Sequence, residues 1–223
     1  MGAAREGIVG GARRQAARGV GLVSSYLRPY SSAHGVADCD DEYRSGEWDY
    51  LANEQEAPRF HVVAGYCLRT SPRPRVLELG CGEGLLAQRL SPAHYTEFLG
   101  VDAAQDAVEK ARARGLDRAA FVQADASTFS PDDVDPTASQ KRFDAIVFSE
   151  MLYYLPDPLA TVRRLQEGWL APTGEIVVSH YKSIDLPQAR QVWKLLHSAF
   201  DVRLRSTLTT GDLTWTIEAL APR

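Results

Sequence analysis

The chain has 223 residues, of which 44% are hydrophobic and 24% charged, and a formal net charge of −4. This is the composition of one soluble globular domain with a core of its own, and the charge excludes the global basic field that gathers nucleic acid. Cys39, Cys67 and Cys81 have neither paired nor metal-type spacing and fit a reduced, cytoplasmic compartment, while no run of about 18 apolar residues exists to span a membrane.

Residues 1–36 carry seven of the 17 glycines, five arginines and a single acid, Glu6. They are expected to form a flexible tail, weakly helical from Gly11 to Tyr26. The start is Arg- and Ser-bearing and acid-poor, as transit peptides are, but lacks the apolar core of a secretion signal. The charge then reverses. Between Ala37 and Ala57 lie eight acids, Asp38, Asp40, Asp41, Glu42, Glu47, Asp49, Glu54 and Glu56, against Arg44. Such a run is ordinarily a solvated face, yet the interleaved Tyr43, Trp48, Tyr50 and Leu51 argue that it docks on the body. Pro58 to Arg69 has helical periodicity through Phe60, Val63, Ala64, Cys67 and Leu68, with Pro58 suited to a first turn. Ser71-Pro72-Arg73-Pro74 ends that helix.

Val76 to Leu90, VLELGCGEGLLAQRL, is a buried parallel strand, a tight turn and an amphipathic helix. Gly80, Gly82 and Gly84 permit backbone conformations closed to other residues and a close approach of ligand to main chain. The helix start offers free N–H groups to a nucleotide or a carboxylate. The spacing differs from the dinucleotide fingerprint G-x-G-x-x-G, since Leu85 stands where the third glycine would be. An ordinary strand–turn–helix corner is the alternative to a cofactor site.

A second strand, Thr96 to Asp102, ends in an acid about 20 residues beyond the glycines, where doubly wound folds bind ribose hydroxyls. Ala104 to Arg114 is a helix closed by Gly115. A third strand, Ala120 to Gln123, leads into Ala124-Asp125-Ala126, and the polar stretch Ser127 to Arg142 is a loop or short helix. The fourth strand is Phe143 to Ser149. Asp157 caps a helix running to about Leu170, and Ala171-Pro172-Thr173-Gly174 turns into a fifth strand, Glu175 to Ser179. Pro187 to Phe200 is helical, and Val202 to Leu208 with Thr214 to Leu220 form a hairpin about Thr210-Gly211-Asp212. Alternating strands and helices predict an α/β fold. It is a three-layer, Rossmann-like doubly wound sheet of about seven strands, mostly parallel with one antiparallel strand in the hairpin.

The pattern E-x-G-x-G-x-G from Glu78 to Gly84 resembles motif I of the class I S-adenosylmethionine (SAM) methyltransferases. The resemblance implies a cofactor site of Gly80, Cys81, Gly82, Gly84, Asp102 and Ala103. It adds Asp125 on the adenine amino group, Ala126 through its backbone N–H, and Ser149 and Glu150 after strand four. Cys81 reads as a small filler within the turn. Ser149 to Leu155, SEMLYYL, is similar to the segment after strand four of small-molecule methyltransferases. Trp48, Glu56 and Arg59 are spaced as in the nodulation-factor N-methyltransferases, a likeness that runs from about Tyr43 to the end. It implies an N-terminal helical lid over 37–70 and a SAM-binding domain over 71–223. In that lid Trp48 packs on cofactor or substrate and Arg59 clamps the methionine carboxylate. The alternatives are a hydrophobic anchor for Trp48 and a surface position for Arg59.

Methyl transfer from a sulfonium is an in-line displacement in which positioning and desolvation supply much of the catalysis. A hydroxyl acceptor benefits from a base, whereas an amine has only to arrive unprotonated. His180 after strand five is the first candidate base and Glu150 the second, with a structural histidine as the alternative. Tyr153, Tyr154 and Tyr181 are candidates for the acceptor pocket, the first two with a core role as the alternative. The segment lacks an Asn/Asp-Pro-Pro-aromatic motif, a Glu-x-x-Glu-His cluster and a catechol-type carboxylate set, so no metal is expected. The expected activity is methylation of a small-molecule hydroxyl or amine, a sugar or secondary metabolite, giving S-adenosyl-L-homocysteine (SAH), by a monomer or homodimer. The rivals are an aminopropyl-transferring enzyme of the polyamine type and a non-catalytic scaffold.

Overall fold

Seven strands, β1 (Arg75–Leu79), β2 (Glu97–Asp102), β3 (Ala119–Gln123), β4 (Phe143–Ser149), β5 (Leu170–Tyr181), β6 (Phe200–Thr210) and β7 (Leu213–Pro222), form one sheet in the order β3-β2-β1-β4-β5-β7-β6. The computed structural model describes residues 36–182 and 187–223. The tail expected over residues 1–36, with its weak helix, lies outside them except for Val36, which opens a helix. Gly35–Arg223 is a single compact unit, so the segment 37–70 is built into the same body as the sheet.

β1 to β5 pair in parallel, and β7 runs antiparallel to both β5 and β6. The central strands are buried along most of their length because helices cover both faces. All five residues of β1 are buried. Leu77, Leu79, Ile146, Phe148, Ile176 and Val178 pack on one face with Val162 and Leu165 of α5 (Pro158–Trp169) and Val192 and Leu196 of α6 (Pro187–Ala199). The other face is covered by α2 (Ala57–Thr70), which packs on β4, β5 and β7. The remaining helices are α1 (Val36–Arg44), α3 (Leu85–Leu90) and α4 (Gln105–Ala113).

Two elements differ from the sequence reading. Ala171 to Gly174 is no turn but a bulged start to β5: Leu170 pairs with Phe143, and the register shifts before Ala145 pairs with Glu175. Gly174 permits this, since a side chain there would begin 2.9 Å from the Asp144 carbonyl. The hairpin is longer than expected, because β6 and β7 pair from Phe200↔Pro222 to Thr210↔Leu213. Ser127 to Arg142 is a loop with one short 3-10 helix, Pro131–Asp133, as the sequence reading has it.

At Gly100 in β2 the main chain meets its neighbours closely: a Cβ would sit 2.6 Å from Phe121 Cδ1 and 2.9 Å from Cys81 Sγ. Overpacking of this kind costs about 1–3 kcal/mol. Gly100→Ala is therefore expected to lower the unfolding free energy by about that amount in urea titrations. Adding Phe121→Leu should restore part of it. An unchanged midpoint would show that the ring yields freely.

Candidate functional site

The turn after β1 is built by glycines in the left-handed region, Gly80 at φ 73°, Gly82 at 50° and Gly84 at 74°. Gly80 and Cys81 both donate their N–H groups to the Val101 carbonyl, at 2.8 and 3.0 Å. Asp102, at the end of β2, accepts from Gly82 N–H at 2.7 Å through Oδ2 and from Ala104 N–H at 3.0 Å through Oδ1. Burial pushes the Asp102 carboxyl up, and the backbone donors of Ala104, Gly82 and Ala103 act against that rise. Cys81 is buried, and burial first, then the charges of Asp102 and Glu78, raise its thiol well above the usual value. Such surroundings suppress the thiolate.

The end of β3 lies one strand further on. Asp125 is exposed, with Oδ1 accepting from Ser127 N–H at 2.8 Å. The Ala126 carbonyl accepts from Arg164 at 3.1 Å, and the Ala103 carbonyl accepts from Gln123 at 3.1 Å. Gly80, Cys81, Gly82, Gly84, Asp102, Ala103, Asp125 and Ala126 thus gather at the C-terminal ends of three neighbouring strands, where open α/β sheets bind ligands.

Arg59 is no surface residue. It is 2% exposed, its Nε lies 3.2 Å from Glu56 Oε2, and its Nη1 donates to Ser149 Oγ at 2.5 Å. Glu78 on β1 is buried, and its Oε2 has no hydrogen-bond partner. Burial drives its carboxyl well above the usual range, and only the Arg59 charge opposes this before Asp102 adds to it. Trp48 donates its indole N–H to Glu42 Oε2 at 3.2 Å, and its ring lies 6.1 Å from those of Tyr43 and Tyr50.

Two residues at the turn were not singled out from the sequence. Met151 reaches over Gly80, its Cβ 2.8 Å from where a Gly80 side chain would begin. The Tyr43 hydroxyl stands 2.7 Å from the corresponding point on Gly82. The aromatic residues among the acids of 37–57 were the signal for Tyr43; nothing local marks Met151.

Beyond β4, Glu150 adopts a left-handed backbone, φ 60°. Its N–H donates to the Ser179 carbonyl at 2.9 Å. Its carboxylate accepts from Ser179 Oγ at 2.8 Å, Tyr181 N–H at 2.9 Å and Tyr153 OH at 3.1 Å. His180 is 1% exposed, and neither ring nitrogen has a hydrogen-bond partner. Its ring lies 5.3 Å from Tyr153 and 4.7 Å from Trp193. Burial lowers its pKa from 6.5 to about 3, so the imidazole is neutral at physiological pH. Tyr154 lies 4.7 Å from Tyr153. Tyr181 points to the opposite face of β5 from His180, its ring 6.0 Å from Trp215, and its backbone N–H joins this group.

Among the described residues no group of three or more His, Cys, Asp or Glu side chains could hold a metal ion, and no helix is long and apolar enough to cross a membrane.

Residues 44–220 match the family described as "Methyltransferase domain". The ubiquinone biosynthesis O-methyltransferase of Xanthomonas campestris pv. campestris (strain B100) is 36% identical over 109 residues, 48% of this chain and 43% of that protein. Nodulation protein S of Rhizobium tropici is 30% identical over 133 residues, 58% of this chain and 52% of that protein. The chain spans about half the length of these curated relatives. The solved structure of N-methyltransferase NodS from Bradyrhizobium japonicum WM9 with S-adenosyl-l-homocysteine shares the fold at a TM-score of 0.62 and 22% identity. It covers 79% of this chain and 91% of that one.

The neutral His180 makes stability depend on pH. An unfolded histidine gains its proton near pH 6.5, whereas the folded chain resists down to about pH 3. Below 6.5 the unfolded state therefore binds the extra proton and stability falls with pH. Between pH 7 and pH 5 the loss is about 2 kcal/mol. In urea titrations, His180→Phe is expected to lose about 2 kcal/mol less than wild type over that interval. Equal pH slopes would mean that the folded protein accommodates the imidazolium.

Proposed function

The chain belongs to the methyltransferase family, and on that premise we propose that it transfers the methyl group of S-adenosyl-L-methionine to a hydroxyl or amine of a small molecule, releasing S-adenosyl-L-homocysteine. The observation that carries this reading is the carboxylate of Asp102 hydrogen-bonded to the glycine turn, at strand ends that also present Asp125 and Ala126. The residues suit the cofactor chemically. Asp102 has lone pairs for two vicinal hydroxyls, exposed Asp125 can accept from an exocyclic amine, and the buried Glu78 Oε2 has no partner among the described residues.

When bound, the cofactor supplies a sulfonium methyl already activated for displacement. The chain's part is to position it, exclude water and receive the acceptor. Arg59, held by Glu56 and Ser149, is the cation suited to the methionine carboxylate. The segment bearing Trp48 covers the strand ends as a lid. Tyr153, Tyr154 and Trp193 offer flat faces to a sugar or an aromatic ring.

His180 orients the acceptor more than it deprotonates it. An imidazole with a pKa of about 3 accepts a hydrogen bond but is a weak base. Glu150 anchors the pocket, since three donors already engage its oxygens. Both facts favour an acceptor that arrives unprotonated or loses its proton readily. Aminopropyl transfer to a polyamine is disfavoured as well, because the segment after β4 carries only two acids, Glu150 and Asp157.

Titration calorimetry with SAH tests the reading. Wild type is expected to bind at micromolar Kd, and Asp102→Ala to bind roughly 100-fold more weakly, each hydrogen bond to a charged partner being worth about 1.5–3 kcal/mol. A well-folded wild type that gives no heat would sink the proposal. Binding would justify an acceptor screen of phenols and amino sugars.

A further inference from the structure

Three contacts fix the segment from α1 to Asp49 on α4. Asp40 Oδ1 accepts from the Asp106 N–H at 3.2 Å. That N–H is in the first turn of α4, whose own N-cap, Ala104, supplies no side-chain bond. Arg44 Nε lies 3.3 Å from Asp106 Oδ2, and Asp49 Oδ1 3.9 Å from Lys110 Nζ. Between these ties, Tyr43 is pressed against Ala104 and Ala107 and is 9% exposed.

The ring delivers its hydroxyl to the glycine turn, 2.7 Å from the point where a Gly82 side chain would begin, and Gly82 N–H donates to Asp102. Burial raises the Tyr43 phenol well above its usual value, with the Asp102 charge as the next cause. A neutral hydroxyl therefore stands at the glycine that bonds the carboxylate assigned above to the cofactor's ribose hydroxyls.

We propose that the Tyr43 hydroxyl is an internal stand-in for a ribose hydroxyl, filling the cradle at Gly82 so that α1 must shift before an S-adenosyl nucleoside can bind. The inference rests on the cofactor reading of the glycine turn. A phenol and a sugar hydroxyl offer the same donor and acceptor, and a tethered competitor lowers apparent affinity by the fraction of molecules in which it is engaged.

The test compares SAH binding to wild type, Tyr43→Phe and Asp102→Ala by calorimetry and stopped-flow fluorescence, with urea midpoints to verify folding. Tyr43→Phe keeps the packed ring and removes the hydroxyl. It is expected to bind SAH roughly 3- to 10-fold tighter than wild type, as release of a tethered competitor engaged in most molecules would give, with faster association. Equal or weaker binding by Tyr43→Phe, with wild type binding and Asp102→Ala impaired, overturns the plug and leaves the cofactor site standing. No binding by folded wild type and Tyr43→Phe alike overturns both.

Discussion

The two hydrogen bonds accepted by the Asp102 carboxylate, from Gly82 and from Ala104, hold the ligand-facing end of the sheet together. One ties the turn after β1 to the end of β2, and the other sets the chain's entry into α4. With Gly80 and Cys81 both donating to Val101, the turn is fastened to the neighbouring strand at three successive residues. Glycines tolerate the left-handed backbone this requires, and α3 and α4 leave in the directions it sets. One carboxylate therefore builds the cradle and is also the group a hydroxyl ligand would meet.

The other half of the site follows different physics. Around Asp102 the main chain supplies the donors; around Glu150 side chains share the work. Glu150, at a strained left-handed position, draws Ser179, Tyr153 and the Tyr181 N–H onto one carboxylate. That fixes Tyr153 beside His180, while Trp193 closes the imidazole from α6. The Asp102 side is stiff because backbone groups bond the carboxylate and each other; the Glu150 side is stiff only as far as these side chains hold.

Much of this was legible in the sequence. The glycine turn, the acids at three strand ends, the Asp157 cap and the alternation of strands with helices are local patterns, and each appears within a few residues of its expected place. Distant pairings were not legible. Arg59 could be read as a surface residue because its partner Ser149 is 90 residues away. Tyr43 showed only as an aromatic among acids, since its meeting with Gly82 depends on where α1 docks. Glu150's left-handed backbone and the bulged extension of β5 arise from strand pairing, which leaves no periodicity behind. His180 was found as a residue, but its isolation from every hydrogen-bond partner belongs to the packed state alone.

The strand order also bears on how the molecule assembles. β1, β2 and β3 are successive in the chain and adjacent in the sheet, so this half can grow by adding one βα unit after another. The far half cannot, because β7 lies between β5 and β6. β6 has no place on the sheet until β7 pairs with it, and the hairpin then docks as a preformed unit against β5. Such ordering makes closure of the β5–β7 edge a late event with a larger loop-entropy barrier, and leaves the β5 edge open to wrong partners in the interval.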